Sequence, residues 1–484
     1  MKLKLDISDV GVTLELCQNI WETAAYLLAE KGIEILLPRL ADDLCNSNGI
    51  TLRDGRAFID KELFASFYPS PLTLATQASE QAATTKRATT EDNTVKIIAG
   101  AYSMQIIDWQ SGKLRNATCA DLRESVRVVE HFDNAGVYCV TPQDVDPVMQ
   151  DIAIFKECFE AGQKVRGVYY SSMEQAPFIE SMYDIMDEEF NLVVGVVSPL
   201  SISLDNLKGV YDSFDRGRRH KVMLVGYGMP GVGSPAQLGA SKALIMAENY
   251  GAEIILKSAI PQLEVMVSAH AGHATDFINC CTALGAPQSF TYTQVNNALN
   301  MGMRGIDPLK NKAPQTGLIF TGSYQIDAQA AAEKSSQAML YAALGANSFS
   351  GAGNLCVDDV FSLEQFIIDR EIVFNATKTV ECANASEKLA QVGDFRAEFD
   401  DIMADRDIFL SLPSTFDIMR ATFRPSDFFE HMKLSNWGNH SMPILRERAQ
   451  KAISAALAEN NYQLDKERSA ALTEIFKAAK KKLT

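Results

Sequence analysis

The stretch from residue 317 to residue 372 constrains the fold more than any other part of the chain. It opens with the apolar run 318–320, which predicts a buried strand, and continues into an alanine-rich helix that begins near Asp327. Gly345 is placed to end that helix as a left-handed residue, and a second short strand, 346–350, and another helix follow. Strand, helix, strand and helix in this order predict a parallel α/β fold.

Short apolar runs recur along the rest of the chain and alternate with segments of helical pattern. The predicted strands are 95–99, 136–140, 167–170, 192–197, 222–225, 254–256, 265–268, 288–290, 318–321 and 347–350. A TIM (β/α)8 barrel is the predicted fold, with one or two of these runs assigned elsewhere. A doubly wound sheet stays open from the pattern. The glycine-rich segment 226–231 does not support it, because Pro230 stands where a nucleotide-binding helix should open, and a long turn is predicted instead.

Composition divides the chain into three predicted regions. Residues 1–94 form an N-terminal α/β cap, which contains an amphipathic helix within 10–31 and ends in a linker, 77–93, without bulky apolar residues. Residues 95–440 form the catalytic barrel domain, and residues 441–484 form a C-terminal helical extension.

The bulk properties favour a cytoplasmic protein. The 484 residues are 47% hydrophobic with a net charge of −16, which argues against a nucleic-acid surface. Nine cysteines form no CxxC pair, and Cys280 and Cys281 fall in a helical pattern, so reduced thiols are predicted. Neither a signal peptide nor a membrane span is predicted, because no apolar run approaches about 20 residues. A homo-oligomer stays open.

Aromatic side chains closely follow several predicted strands. A quaternary ammonium cannot donate a hydrogen bond, so proteins hold it with ring faces and a nearby carboxylate. The predicted substrate-binding residues are Tyr102, Asp108, Tyr169, Glu174, Tyr227 and Phe349. Any one of the rings could instead fill the layers inside a barrel.

The two joints of the opening stretch carry further candidates, because ligands of parallel α/β folds bind where strands end. Gly322, Ser323 and Gly351 are predicted cofactor contacts, since a missing side chain lets a ligand approach the backbone. Tyr324 and Asp327 are predicted catalytic residues, and Tyr324 would supply one face of the cation cage.

His270 and His273 are spaced to share a helix face and to bind zinc. Cys280 and Cys281, the nearest soft ligands, match no common zinc spacing, so no metal site is predicted. His270 is instead predicted to be a catalytic or substrate-lining residue at a strand end, and a structural role for both histidines stays open.

Several segments resemble the trimethylamine methyltransferase superfamily. They are Asp327-Ala-Gln-Ala with Glu333-Lys334, Leu344-Gly-Ala-Asn347, and 362–372, with weaker agreement at 32–35, 54–59, 142–146 and 234–248. The resemblance covers roughly residues 10–480. Ala331 stands where the family tends to have glycine, and 253–275 also runs differently, which bears on the substrate more than on the fold.

The resemblance implies a TIM barrel that moves a methyl group from a methylated amine to the cobalt of a partner corrinoid protein. Some relatives carry pyrrolysine, and this sequence contains none. It is therefore similar to members that act on quaternary, glycine-betaine-type amines in methanogenic or acetogenic metabolism. The implied cofactor is a corrinoid (cobalamin) that the partner carries, with none tightly bound to this chain. Arg304, Lys257 or backbone N–H groups could hold a substrate carboxylate.

Two other functions remain open at this level. One is a metal- or histidine-dependent lyase or hydrolase on the same barrel, using His270 and His273. The other is a non-catalytic homologue that binds a quaternary ammonium. Stoichiometric zinc or iron in the purified protein would favour the first function. Tight binding of the ligand without turnover would favour the second.

Overall fold

The chain adopts a mixed α/β fold. The computed structural model describes residues 10–81, 94–132, 136–168, 170, 173–218, 221–226, 228–268, 272–310, 316–385, 409–423 and 445–484, with a few single positions between 396 and 435. No helix in these ranges is long and apolar enough to cross a membrane.

The helices have the following bounds. They are α1 Leu14–Tyr26, α2 Pro38–Leu44, α3 Lys61–Phe67, α4 Pro71–Gln81, α5 Cys119–His131, α6 Gln150–Ala161, α7 Ala176–Met186, α8 Leu204–Asp215, α9 Leu238–Ala259, α10 Pro287–Gly302, α11 Ala328–Ala343, α12 Leu363–Asn384, α13 Pro413–Thr422, α14 Leu445–Glu459 and α15 Lys466–Leu483. A π-helical turn, Leu27–Lys31, extends α1.

The strands are mostly short. They are β1 Ile33–Glu34, β2 Ile50–Arg53, β3 Arg56–Ile59, β4 Lys96–Ala99, β5 Gln105–Ile107, β6 Leu114–Asn116, β7 Gly136–Val137, β8 Val165–Arg166, β9 Asn191–Val197, β10 Ser201–Ile202, β11 Lys221–Gly226, β12 Glu264–Ser268, β13 Thr275–Asp276, β14 Cys281–Thr282, β15 Gly317–Leu318, β16 Ser348–Ala352, β17 Asn354–Leu355 and β18 Val360–Phe361.

The largest sheet joins N-terminal strands to strands from the middle of the chain. Its order is β12-β11-β9-β10-β1-β3-β2. β9, β11 and β12 are parallel, with Val222 opposite both Leu192 and Val265. β1 pairs with β10, and the Glu34 N–H donates to the Leu200 carbonyl at 2.9 Å. The predicted N-terminal cap is therefore continuous with this sheet, and its boundary at residue 94 stays a prediction.

Two smaller groups contain further parallel strands, and β18 also pairs in parallel with β5. β16 lies between β15 and β4, and β7 pairs with β8. A parallel bridge between Ser103 and Val140 links the segments that follow β4 and β7. Within the described residues these ladders do not close into one barrel. The predicted α/β class is confirmed, and barrel closure stays a prediction.

Two predicted strands are wrong because they lie inside helices. The run 254–256 belongs to α9, where Ile254, Ile255 and Leu256 are all fully buried. A helix that is buried on several sides lacks the regular spacing of apolar and polar residues that identifies a surface helix. Its apolar run therefore resembles the sequence of a buried strand. The run 288–290 lies in the first turn of α10, which opens with Pro287, a favourable residue at that position.

Two further local predictions are also wrong. Cys280 and Cys281 lie at the β13–β14 hairpin and not in a helix, and Cys280 has a φ of +52°. Residues 77–81 of the predicted linker form the end of α4, because a run rich in alanine and glutamine is compatible with a helix. The remainder of that linker, 82–93, lies outside the described residues.

Two helices, α14 and α15, occupy most of residues 445–484, and a separate C-terminal extension over 441–484 stays a prediction. α14 packs against α5 and α12, and α15 packs against α6 and α7. Ile453 of α14 and Leu472 of α15 are fully buried, in two different hydrophobic cores. These helices therefore cover the outer faces of helices that follow the parallel strands.

Candidate active site

The ends of β4, β15 and β16 meet in one part of the molecule, which we name the strand-end region and define as residues 100–103, 321–327 and 350–358. The pairing of β16 with β4 shifts register between Ser350 and Ala352, and Gly351 has a φ of +98°. A Cβ at Gly351 would lie 2.8 Å from the Phe320 ring. Glycine is therefore required at this bulge.

A buried ion pair holds the bulge. Lys334 donates to the Asp369 carboxylate at 2.7 Å and to the Gly351 carbonyl at 3.2 Å. Asp369 also accepts hydrogen bonds from the Gly353 N–H and the Gln365 amide, both at 2.7 Å. Both charged side chains are fully buried. Burial lowers the pKa of Lys334 and raises that of Asp369, and their mutual attraction opposes both shifts.

A second carboxylate ties the chain after β15 to α11. Glu333 accepts hydrogen bonds from the Thr321 hydroxyl at 2.6 Å and from the Gly322 N–H at 2.9 Å. Gly285, which precedes α10, lies against the same atoms. A Cβ at Gly285 would lie 2.7 Å from the Thr321 Cα and 3.0 Å from Glu333 Oε2. Three segments of the chain therefore fix the position of residues 321–322.

The strand-end backbone is strained at three residues that carry side chains. Tyr102, Cys356 and Val357 have φ values of +68°, +48° and +65°, which are unfavourable for such residues and most of all for a β-branched valine. The N–H groups of Cys356 and Val357 donate to the carbonyls of Ser323 at 2.7 Å and Thr321 at 2.8 Å. Because backbone strain concentrates at functional sites, we take this region as the candidate site.

Tyr102, one of the aromatic residues predicted to hold the cation, lies in the strand-end region. Its ring meets the Tyr138 ring edge-on, with centroids 5.3 Å apart. Its carbonyl accepts a hydrogen bond from the Thr141 hydroxyl at 3.1 Å, and the neighbouring Ser103 hydroxyl donates to the Asp358 carbonyl at 2.6 Å. The strained conformation of Tyr102 is thus held on both sides.

The predicted residues 322–327 also lie together. A Cβ at Gly322 would meet nothing closer than the Gln329 side chain at 3.8 Å, so space is open there. Tyr324 is 62% exposed. Asp327 caps α11 by accepting from the Ala330 N–H at 2.9 Å, and it also accepts from the Ser323 hydroxyl at 3.0 Å. Asp327 and Ser323 therefore shape the turn around an exposed ring.

Two residues predicted to bind substrate, Phe349 and Asp108, make contacts within the protein instead. Phe349 is 0% exposed, and its ring fills the space left by Gly317 on the neighbouring strand. Asp108 binds Arg115 at 2.8 Å and accepts from the Ser111 N–H at 2.7 Å. Burial opposes ionisation of Asp108, but the bonds from Ser111 and Arg115 outweigh it and lower its pKa to about 2.

Of the remaining predicted residues, the structure describes only Glu174, which lies outside the strand-end region. Glu174 is exposed in the turn before α7. Tyr169, Tyr227 and His270 lie outside the described residues. His273 is half-buried. No group of three or more metal-ligating side chains occurs within the described ranges.

The sequence prediction missed the side chains that hold the strand-end region together. Glu333 and Lys334 were noted only because they resemble the family sequence, and no role was predicted for Asp369. A usable signal was available, because Asp369 directly follows the apolar run 366–368 on α12 and lies one helical turn after Gln365. A charge on a buried helix face needs a partner.

The fold and these joints define an α/β protein whose candidate small-molecule site lies where parallel strands end. The sequence model of the trimethylamine methyltransferase (MTTB) family matches residues 11–484, and the chain belongs to this family.

Two solved structures are similar to the chain at 12% sequence identity. One is the Methanosarcina barkeri monomethylamine methyltransferase (MtmB), with a TM-score of 0.42, and the other is the hydroxylamine MtmB complex, with a TM-score of 0.41. Each alignment covers 99% of this chain and 89% of the other chain. No curated protein sequence matched the chain.

Proposed function

We propose that this protein moves a methyl group from a quaternary, betaine-type amine to the Co(I) of a partner corrinoid protein. Family membership over residues 11–484 is the observation that carries methyl transfer. The quaternary substrate is supported by the sequence, which lacks the pyrrolysine that some relatives use to hold and activate an amine.

A quaternary ammonium needs no further activation for this reaction. When a nucleophile attacks the methyl carbon, the C–N bond breaks, and its electron pair stays on the nitrogen of a neutral tertiary amine. The corrinoid, carried by the partner, supplies the reduced cobalt. The residues of this chain must remove water from the cation and align the methyl group.

The strand-end region offers groups for these tasks. Tyr324 and Tyr102 would present ring faces to the cation, and Gly322 leaves space for the substrate to approach the backbone. Glu333 and the Lys334–Asp369 pair would keep that backbone rigid, so that little reorganisation accompanies binding. Tyr169, Tyr227 and His270 complete the proposed lining, and Ser323 and Gly351 are proposed to lie nearest the corrinoid.

The β13–β14 hairpin supports a docking surface beside this region. Phe277 and Ile278 at its tip are 60% and 92% exposed. The hairpin leads into Gly285, which contacts Thr321 and Gly322. An exposed apolar tip next to a candidate site is typical of an interaction surface. We place the corrinoid partner there, since its cobalt must come within bonding distance of the methyl group.

The same proposal includes the finer architecture. β4, β7, β8, β9, β11, β12, β15 and β16 would be the eight strands of a TIM (β/α)8 barrel between residues 95 and 440. The observed parallel ladders among them follow chain order, and β16 returns to β4, as closure requires. A cytoplasmic location and a homo-oligomer remain parts of the proposal.

An assay with free cob(I)alamin tests the proposed reaction. We expect purified protein to form methylcobalamin from glycine betaine or a related betaine, and to leave trimethylamine unchanged, because a tertiary amine must be protonated or otherwise activated before its nitrogen can leave. Absorbance of methylcobalamin is the readout, with glycine betaine, carnitine and choline as substrates. Formation from none of these compounds would contradict the proposal.

Replacing Tyr324 by alanine should weaken use of a quaternary substrate. A cation–π contact contributes about 0.5–1 kcal/mol when exposed and about 2 kcal/mol when dry, so KM in the cob(I)alamin assay should rise severalfold. Tyr324→Phe keeps the ring face and should change KM little. Equal effects of the two substitutions would show that the hydroxyl, and not the ring face, matters.

A further inference from the structure

A cavity of about 560 Å³ lies between the N-terminal helices and the helices α9 and α10. This volume is in the range of small-molecule sites. Its lining includes the aromatic side chains Trp21, Phe67, Tyr68 and Tyr250, and none of its lining residues belongs to the strand-end region. The cavity is therefore distinct from the candidate active site.

The aromatic wall of this cavity is held in place by its own contacts. The rings of Tyr68 and Tyr250 stack with centroids 3.8 Å apart and planes 9° apart. The Trp21 indole N–H donates to the Tyr68 carbonyl at 2.9 Å, and the Tyr68 hydroxyl donates to the Glu253 carboxylate. A preformed wall of this kind can receive an apolar or cationic head group without rearrangement.

The cavity also has a positively charged side. Arg304 and Asn300 line it, and no ion pair within the described ranges involves Arg304. The buried Lys242 lies behind Asn300 and donates to its side-chain oxygen at 2.5 Å. Burial, and to a lesser extent the charge of Arg304, lower the pKa of Lys242 to about 7. A guanidinium that pairs with no carboxylate of the described residues can bind the carboxylate of a ligand.

We propose that this cavity binds a small carboxylate that carries a bulky methylated head. The carboxylate would bind Arg304, and the head would lie against the aromatic wall formed by Trp21, Phe67 and the stacked Tyr68–Tyr250 pair. Two classes of compound have a carboxylate and a head of this shape. A betaine has a cationic head, and a branched aliphatic acid has a neutral head. This inference does not depend on methyl transfer, because binding alone is at issue.

Calorimetric titration without any corrinoid tests the proposal with three probes. Glycine betaine and 3,3-dimethylbutyrate share the carboxylate, and choline has the methylated cation without it. At the cavity, we expect both carboxylates to bind through Arg304 and choline to bind at least tenfold more weakly. Arg304→Gln should weaken the two carboxylates about tenfold or more, because a charge-assisted pair is lost. Arg420→Gln, at another exposed arginine, is the matched control and should change nothing.

The outcomes separate the two sources of the ligand and can overturn the site. Tighter binding of glycine betaine identifies a cationic head, whereas equal or tighter binding of 3,3-dimethylbutyrate identifies a neutral one. Because glycine betaine and choline could also bind at the strand-end region, the readout for the cavity is the part of the binding that Arg304→Gln removes. The proposal is overturned if this part is absent for both carboxylates or is equally large for choline. Arg304 is exposed, so unchanged thermal unfolding of the variant checks that it is folded. Since no corrinoid is present, failure here leaves methyl transfer untouched, and the reverse also holds.

Discussion

Replacing Lys334 by methionine is expected to lower the free energy of unfolding by about 3–5 kcal/mol. Methionine keeps much of the side-chain volume but leaves the Asp369 carboxylate buried without its cation. The remaining bonds from Gly353 and Gln365 cannot supply a compensating charge. Denaturant unfolding of the variant and the wild type measures the difference, provided that the two slopes agree.

Two controls separate charge burial from simple loss of a lysine. Lys477 pairs with Glu474 on the surface, where the side chains are 66% and 71% exposed, so Lys477→Met should cost less than about 1 kcal/mol. The double variant Lys334→Met with Asp369→Leu should recover most of the loss, because an apolar pair can replace a buried ion pair. A single variant within about 1 kcal/mol of the wild type would refute the role given to this pair.

Local signals were sufficient to locate the strand-end region. The apolar run before Gly322 and Ser323 predicts a strand and then a joint, and α11 begins after Asp327 as predicted. Gly345 has a φ of +89° directly after the helix, as a left-handed terminal glycine should. These features depend on neighbouring residues alone, so one sequence is enough to find them.

The contacts that stabilise the region could not be found in the same way. Lys334 and Asp369 are separated by 35 positions, and only the packing of α11 against α12 brings them together. Many carboxylates of an acidic chain were equally available to Lys334. The strained φ of Tyr102 likewise depends on bonds to Tyr138 and Thr141, which follow a different strand.

Phe349 shows how strand register decides the fate of a predicted site residue. Side chains alternate between the two faces of a strand, so the run alone leaves the direction of this ring open. The pairing of β15 with β16 places Phe349 opposite Gly317, and the missing side chain there admits the ring into the core. Sequence reasoning could identify the strand but not the partner residue.

Gly285→Ala should destabilise the protein by about 2–5 kcal/mol and should also lower methyl transfer, because residues 321–322 would shift. The added methyl group meets backbone atoms of Thr321 and Gly322, which cannot move away cheaply, so overpacking contributes about 1–3 kcal/mol. The φ of +97° contributes about 1–2 kcal/mol more, because left-handed backbone is unfavourable for alanine.

Gly345→Ala provides a matched control for the backbone part of this effect. Gly345 has a similar φ of +89°, but a Cβ there would meet no atom within 4 Å. Its substitution should therefore cost only the conformational part, about 1–2 kcal/mol, and leave methyl transfer unchanged. The difference between the two variants measures how tightly the segment before α10 holds residues 321–322. Equal losses of stability would mean that Gly285 is needed for its backbone conformation alone and does not position the strand-end region.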